Sequence, residues 1–136
     1  MRLILPIVGA AIALSGCSVP APAADTTAET VEQAEAPAPT PAAIDAAKAA
    51  LAGEPKIKDL TYDPASAVQW NIGVLDDGSR RTGYAQYVCQ VLQEKSALAG
   101  RTHVRIVDIA KVAQGENFRD ANLGHVICET GDIVDA

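Results

Sequence analysis

Four side chains in the second half of the chain have types suited to chemistry: Cys89, His103, His125 and Cys128. A cysteine beside a histidine is the pairing of thiol catalysis, in which an imidazole or a helix N-terminus draws the thiol toward thiolate. Cys89, however, falls in the middle of a segment with helical periodicity, and neither histidine stands at a spacing known for cysteine hydrolases. His125-x-x-Cys128 is half of a zinc spacing, but residues three apart on a strand do not converge on one face, and completing a site would require Cys89 or His103. Ordinary polar strand positions account for both histidines more simply. Asp76-Asp77-Gly78 could open a calcium loop, yet the later acidic ligands of an EF-hand are missing. A strand-to-helix turn with Asp or Ser as N-cap explains it better. There is no phosphate-cradling glycine pattern and no nucleophile elbow, so no catalytic, cofactor-binding or metal residue is assigned.

The elements that must position these residues lie in 44–136, which contains all five aromatic side chains of a chain that is only 4% aromatic. Asp45 to Ala52, headed by Ile44, reads as a short alanine-rich helix stopped by Gly53 and Pro55. Lys56 to Tyr62 reads as a modest strand before an Asp63-Pro64 turn. Val68, Trp70, Ile72 and Val74 alternate with Gln69, Asn71 and Gly73, the pattern of a strand with one buried face. Tyr84, Tyr87, Val88, Val91, Leu92 and Leu98 share one helical stripe about 140° wide, which predicts an amphipathic helix over Arg81 to Ala97, closed by Gly100. At these periodic positions Trp70 and the tyrosines are expected in the core. Thr102 to Val112, with Val and Ile on both faces, reads as a central strand. A polar loop over Gln114 to Asp120 and a last strand over Leu123 to Thr130 complete the order α-β-β-α-β-β. That order predicts a small α+β domain with a mainly antiparallel sheet and its helices on one face.

Residues 18–43 differ sharply. Nine alanines, five prolines, four threonines and four acids fill 22 of those 26 positions, which cannot bury enough apolar surface to offset the entropy of ordering. Prolines at both ends and like charge between them predict an extended spacer, with a reach of about 80 Å at most. A frayed helix over Thr26 to Glu35 is the alternative for its middle. Over the whole chain, 11 basic against 17 acidic side chains leave a net charge of -6 and no basic cluster. That excludes the cationic footprint of a nucleic-acid-binding protein. Residues 44–136 carry only -3, a solvated surface more than a binding field.

The N-terminus has the layout of a secretory signal: Met1-Arg2, a mostly apolar run from Leu3 to Leu14, then Ser15-Gly16-Cys17. The alternative, an uncleaved membrane helix, is disfavoured because the run is shorter than about 20 residues and contains Pro6 and Gly9. Leu14-Ser15-Gly16-Cys17 resembles the lipobox of bacterial lipoproteins, a resemblance confined to residues 1–17. It implies that residues 1–16 are a signal peptide cleaved between Gly16 and Cys17. It also implies a diacylglyceryl group on the Cys17 sulfur and often a further acyl chain, such as palmitate, on the new amino group. Two or three acyl chains anchor stably where one binds reversibly. Ser18, where an aspartate would favour inner-membrane retention, implies the outer membrane, facing the periplasm; the inner membrane stays open.

The implied organisation is a signal at 1–16, a lipidated cysteine and tether at 17–43, and a folded domain at 44–136. In an exported domain, the pair left after Cys17 is assigned, Cys89 and Cys128, suggests a disulfide between helix and last strand, with two unpaired thiols as the alternative. The expected partners are the membrane, through Cys17, and an envelope protein. The expectation is a tethered binding or structural module; the alternative is an envelope enzyme or metal-dependent module using Cys89, Cys128, His103 and His125.

Overall fold

A computed structural model describes residues 38–65 and 68–134 of the chain. The signal segment, Cys17 and the spacer up to residue 37 lie outside the described residues. Four strands form one mixed sheet in the spatial order of the sequence. β1 (Asp59–Asp63) pairs antiparallel with β2 (Gln69–Val74), β2 pairs parallel with β3 (His103–Asp108), and β3 pairs antiparallel with β4 (Asn122–Ile127). The parallel pair requires a crossover, supplied by α2 (Thr82–Glu94). The α+β domain therefore has a βαβ unit at its centre and an antiparallel strand on each side.

Alternation along the strands sorts the side chains into two faces. Trp70, Ile72, Val104, Ile106 and Val126 turn to the face on which α2 lies and are essentially fully buried. Ala85, Val88 and Leu92 of α2 and Ala47 and Leu51 of α1 (Pro41–Ala52) close this core. The Tyr62 ring tilts against Trp70 at 4.7 Å between centroids. The fully buried valine, leucine and isoleucine side chains of this cluster each contribute about 1.5–3 kcal/mol by leaving water.

Several boundaries differ from expectation, each for a local reason. α1 begins at Pro41, not near Ile44, because Thr40 Oγ1 accepts the Ala43 N–H at 3.2 Å and proline occupies the first helical position, where no N–H is needed. β1 starts at Asp59, since Glu54 to Ile57 is taken up by a turn closed through the Ile57 N–H and the Glu54 carbonyl. β2 is buried on both faces from Trp70 to Val74, because it lies between two strands and because Ile109 covers Gly73 on the far side. α2 stops at Glu94, where Ser96 takes a left-handed φ of 56° and the Ala97 and Ser96 N–H groups return to the carbonyls of Leu92 and Gln93. That is a Schellman ending built on serine instead of glycine.

The strand expected over Thr102 to Val112 divides at Asp108. Its carboxylate accepts the Ala110 N–H at 3.0 Å and caps a one-turn helix, α3 (Ile109–Ala113), whose Ile109 reaches the face opposite α1 and α2. β4 ends at Ile127, and the following turn brings Ile133 back into an antiparallel bridge with Val126. Cys89 and Cys128 are joined in a disulfide with Cα atoms 5.2 Å apart, tying α2 to the turn after β4. Closing that loop of about 40 residues stabilises the fold by roughly 3–4 kcal/mol.

Candidate functional site

The sheet face opposite α1 and α2 is polar. Register places Gln69 opposite His103, and Asn71 opposite Arg105, which in turn lies opposite His125. One polar row, Asn71–Arg105–His125, thus crosses three strands, while the row Gln69–His103 ends at Ile127 on β4. Gln69 Nε2 donates to Asn71 Oδ1 at 3.0 Å, bracing the row on β2.

His103 and His125, diagonal neighbours on β3 and β4, meet at 2.9 Å between Nδ1 of the first and Nε2 of the second. Their rings tilt at 45° with centroids 5.1 Å apart. Arg105 Nη2 lies 3.4 Å from His125 Nδ1 on the other side of that ring. A guanidinium only donates, so His125 Nδ1 is the acceptor and its proton sits on Nε2. His125 Nε2–H then donates to His103 Nδ1, which leaves the His103 proton on Nε2. The three side chains form one directional chain in which both imidazoles are neutral.

Electrostatics agree with that assignment. Burial, then the charges of Arg105 and His103, pushes the His125 pKa down to about 4, and the residue is only 6% exposed. Burial, then the charges of Arg101 and Arg105, lowers that of His103. Glu129, whose two oxygens accept the Thr102 N–H at 2.8 and 2.9 Å, acts in the opposite direction on His103 as the smallest of these influences. Burial and the nearby Arg119 charge lower the Arg105 pKa.

Among the described residues no carboxylate pairs with Arg105, and its buried Nε has no hydrogen-bond partner. Also among them, no cluster of three His, Cys, Asp or Glu side chains could hold a metal ion.

The structure separates the other side chains singled out from the sequence. Cys89 and Cys128 are consumed by their disulfide on the α2 side of the sheet, so neither offers a thiolate to the histidines. Asp76 and Asp77 are turn formers: Asp76 Oδ1 accepts the Gly78 N–H at 2.8 Å, and Asp77 Oδ1 accepts the Ser79 hydroxyl at 2.5 Å. Neither they nor Ser79 caps α2, whose N-cap is Arg81; Asp77 instead holds Arg81 at 2.7 Å across the loop that precedes the helix. The Ser79 hydrogen bonds, with help from Arg81, lower the Asp77 pKa. Trp70 is core, while Tyr87 is 39% exposed and donates its hydroxyl to Glu54 at 2.6 Å, linking α2 to the turn after α1.

A hollow of about 610 Å³ opens where α2 begins, between the Asp76–Arg80 loop, Leu123 and Ile133, and His125 also lines it. There the Arg81 N–H donates to the Leu123 carbonyl at 2.9 Å. Gly124 lies so close beneath that a Cβ would come within 2.6 Å of the backbone of Arg81 and Thr82.

Sequence reasoning missed Arg105 and Asn71 as members of a cluster. The available signal was the i, i+2 polar spacing, Gln69-x-Asn71 on one strand and His103-x-Arg105 on the next. No protein-family model matches the chain, and no curated protein and no solved structure is significantly similar to it.

Proposed function

We propose that the chain is a lipoprotein of the bacterial cell envelope, anchored through Cys17, that displays a small binding or structural domain to the periplasm. The observation that carries this reading is Leu14-Ser15-Gly16-Cys17 directly after an apolar N-terminal run. The Cys89–Cys128 disulfide supports it, since such bonds form and persist in oxidising compartments such as the periplasm. With both sulfurs in that bond, the alternative of thiol chemistry with His103 or His125 loses its nucleophile. The one-sided arrangement, a core under α1 and α2 and a polar face behind it, favours recognition through the polar face. Outer-membrane residence follows from Ser18 by the same resemblance.

Labelled palmitate fed to cells expressing the protein tests the anchor. The wild-type chain incorporates label and matures to a shorter form. Cys17→Ala carries no label and accumulates the uncleaved precursor. Equal labelling of the two would refute the assignment. Density-gradient separation of the membranes then assigns inner or outer residence. Crosslinking in intact cells checks for an envelope protein partner, and recovery of the monomer alone would count against a structural role.

A further inference from the structure

We propose that Arg105, together with the His103–His125 pair and the nearby Arg119, forms a receptor for a carboxylate group on the polar face of the sheet. The proposal deepens the reading of the domain as a binding module and does not depend on the anchor. Arg105 is a half-buried guanidinium in a protein with an excess of acids, yet no carboxylate pairs with it among the described residues. Its Nε is buried and has no hydrogen-bond partner, while Nη2 makes only the long contact to His125. The shielded Nε lies out of a ligand's reach, so a carboxylate meets the fork at its Nη ends, where the half-buried side chain still reaches solvent.

The surroundings select the sign of the ligand. Arg105 feels the charge of Arg119, and His103 feels those of Arg101 and Arg105. Glu129, the acid whose charge acts on His103, is engaged by the Thr102 N–H. Asp59 and Asp63 share the polar face but sit on β1, two strands from Arg105 or about 10 Å away. A metal cation bridging the two imidazoles would have to sit among these guanidinium groups, and the described residues supply no third ligand. A planar carboxylate matches the arginine fork with two parallel hydrogen bonds. The tautomers derived above leave His103 Nε2–H as a further neutral donor. The helix N-terminus that reaches this face, that of the one-turn α3, is already capped by the Asp108 carboxylate, which would repel a phosphate dianion.

The two histidines are the only ones in the chain, so their imidazole NMR signals report on the site without ambiguity. The full-length chain in detergent micelles is titrated with succinate near neutral pH and low salt, with inorganic phosphate and chloride at matched ionic strength as comparisons. The expected result is a saturable succinate shift of both histidine signals, weakened about tenfold or more in Arg105→Gln. Arg119→Gln, at an exposed loop position that does not put folding at risk, weakens it by about threefold. A shift that does not saturate, or that chloride reproduces, overturns the proposal. So does succinate binding unchanged in Arg119→Gln, which decides the matter even if Arg105→Gln does not fold. Phosphate binding as tightly as succinate overturns the assignment to carboxylates. Each of these outcomes leaves palmitate labelling at Cys17 unaffected, so the two readings fail independently.

Discussion

Acid should destabilise this domain through His125 before its carboxylates become protonated. In the unfolded chain His125 takes up a proton near pH 6.5. In the folded chain burial and Arg105 delay that uptake until about pH 4. Between those values the unfolded state binds more protons, so stability is complete above about pH 6.5 and falls as the pH drops through the window. At about pH 5 the difference in proton uptake amounts to about 2 kcal/mol, rising to about 3 kcal/mol below pH 4. Small domains are stable by only about 5–15 kcal/mol, so this is a large share. His103, lowered by burial and by Arg101 and Arg105, acts in the same direction. Trp70 is the only tryptophan and is fully buried, which makes its fluorescence a direct reporter of urea unfolding with the disulfide intact. Wild type should lose about 2 kcal/mol more than His125→Gln between about pH 7.5 and pH 5, whatever the absolute stability of the variant. Parallel stability profiles for the two proteins would refute the delayed protonation of His125 in the folded chain.

Gly124→Ala should cost about 2 kcal/mol or more in urea unfolding, because its Cβ would meet the Arg81–Thr82 backbone and not a yielding side chain. Ser96→Gly should raise stability by up to about 1 kcal/mol by relieving the left-handed φ at the end of α2, and a lower midpoint would contradict the Schellman geometry. The double variant Cys89→Ala/Cys128→Ala should lose roughly 3–4 kcal/mol; an unchanged urea midpoint would mean that the bond adds no constraint.

The parts of the fold legible in the sequence are those written in local periodicity. The stripe through Tyr84, Val88 and Leu92 and the alternation of Trp70, Ile72 and Val74 identify α2 and β2 because one face of each packs on the same core. Cys89 and Cys128 are legible by elimination. The misses come from signals that cancel or that live between strands. Ser96 does the work usually left to glycine, so the helix reads too long, and Asp108 caps α3 inside a segment rich in Val and Ile on both sides of it. Pro41 looks like spacer until Thr40 is recognised as its cap. The parallel pairing of β2 with β3 depends on where α2 carries the chain, and the meeting of His103 with His125 depends on the antiparallel register that sets Arg105 opposite His125. No single-strand pattern encodes either one, and the Arg105 cluster inherits that illegibility.

The two borders of the sheet are finished differently. Beyond β4, the returning chain bridges Val126 through Ile133 and its Val134 N–H donates to the His125 carbonyl, which occupies that border. Among the described residues β1 has a neighbour only in β2, and it exposes Asp59, Thr61 and Asp63. Suppose two molecules met border to border along β1, antiparallel and centred on Thr61. Asp59 of each copy would then face Asp63 of the other, putting two like-charge pairs at cross-strand distance. Acids at both ends of a five-residue strand thus make the free border a poor template for a second copy, so molecules crowded side by side are kept from stitching into a continuous sheet.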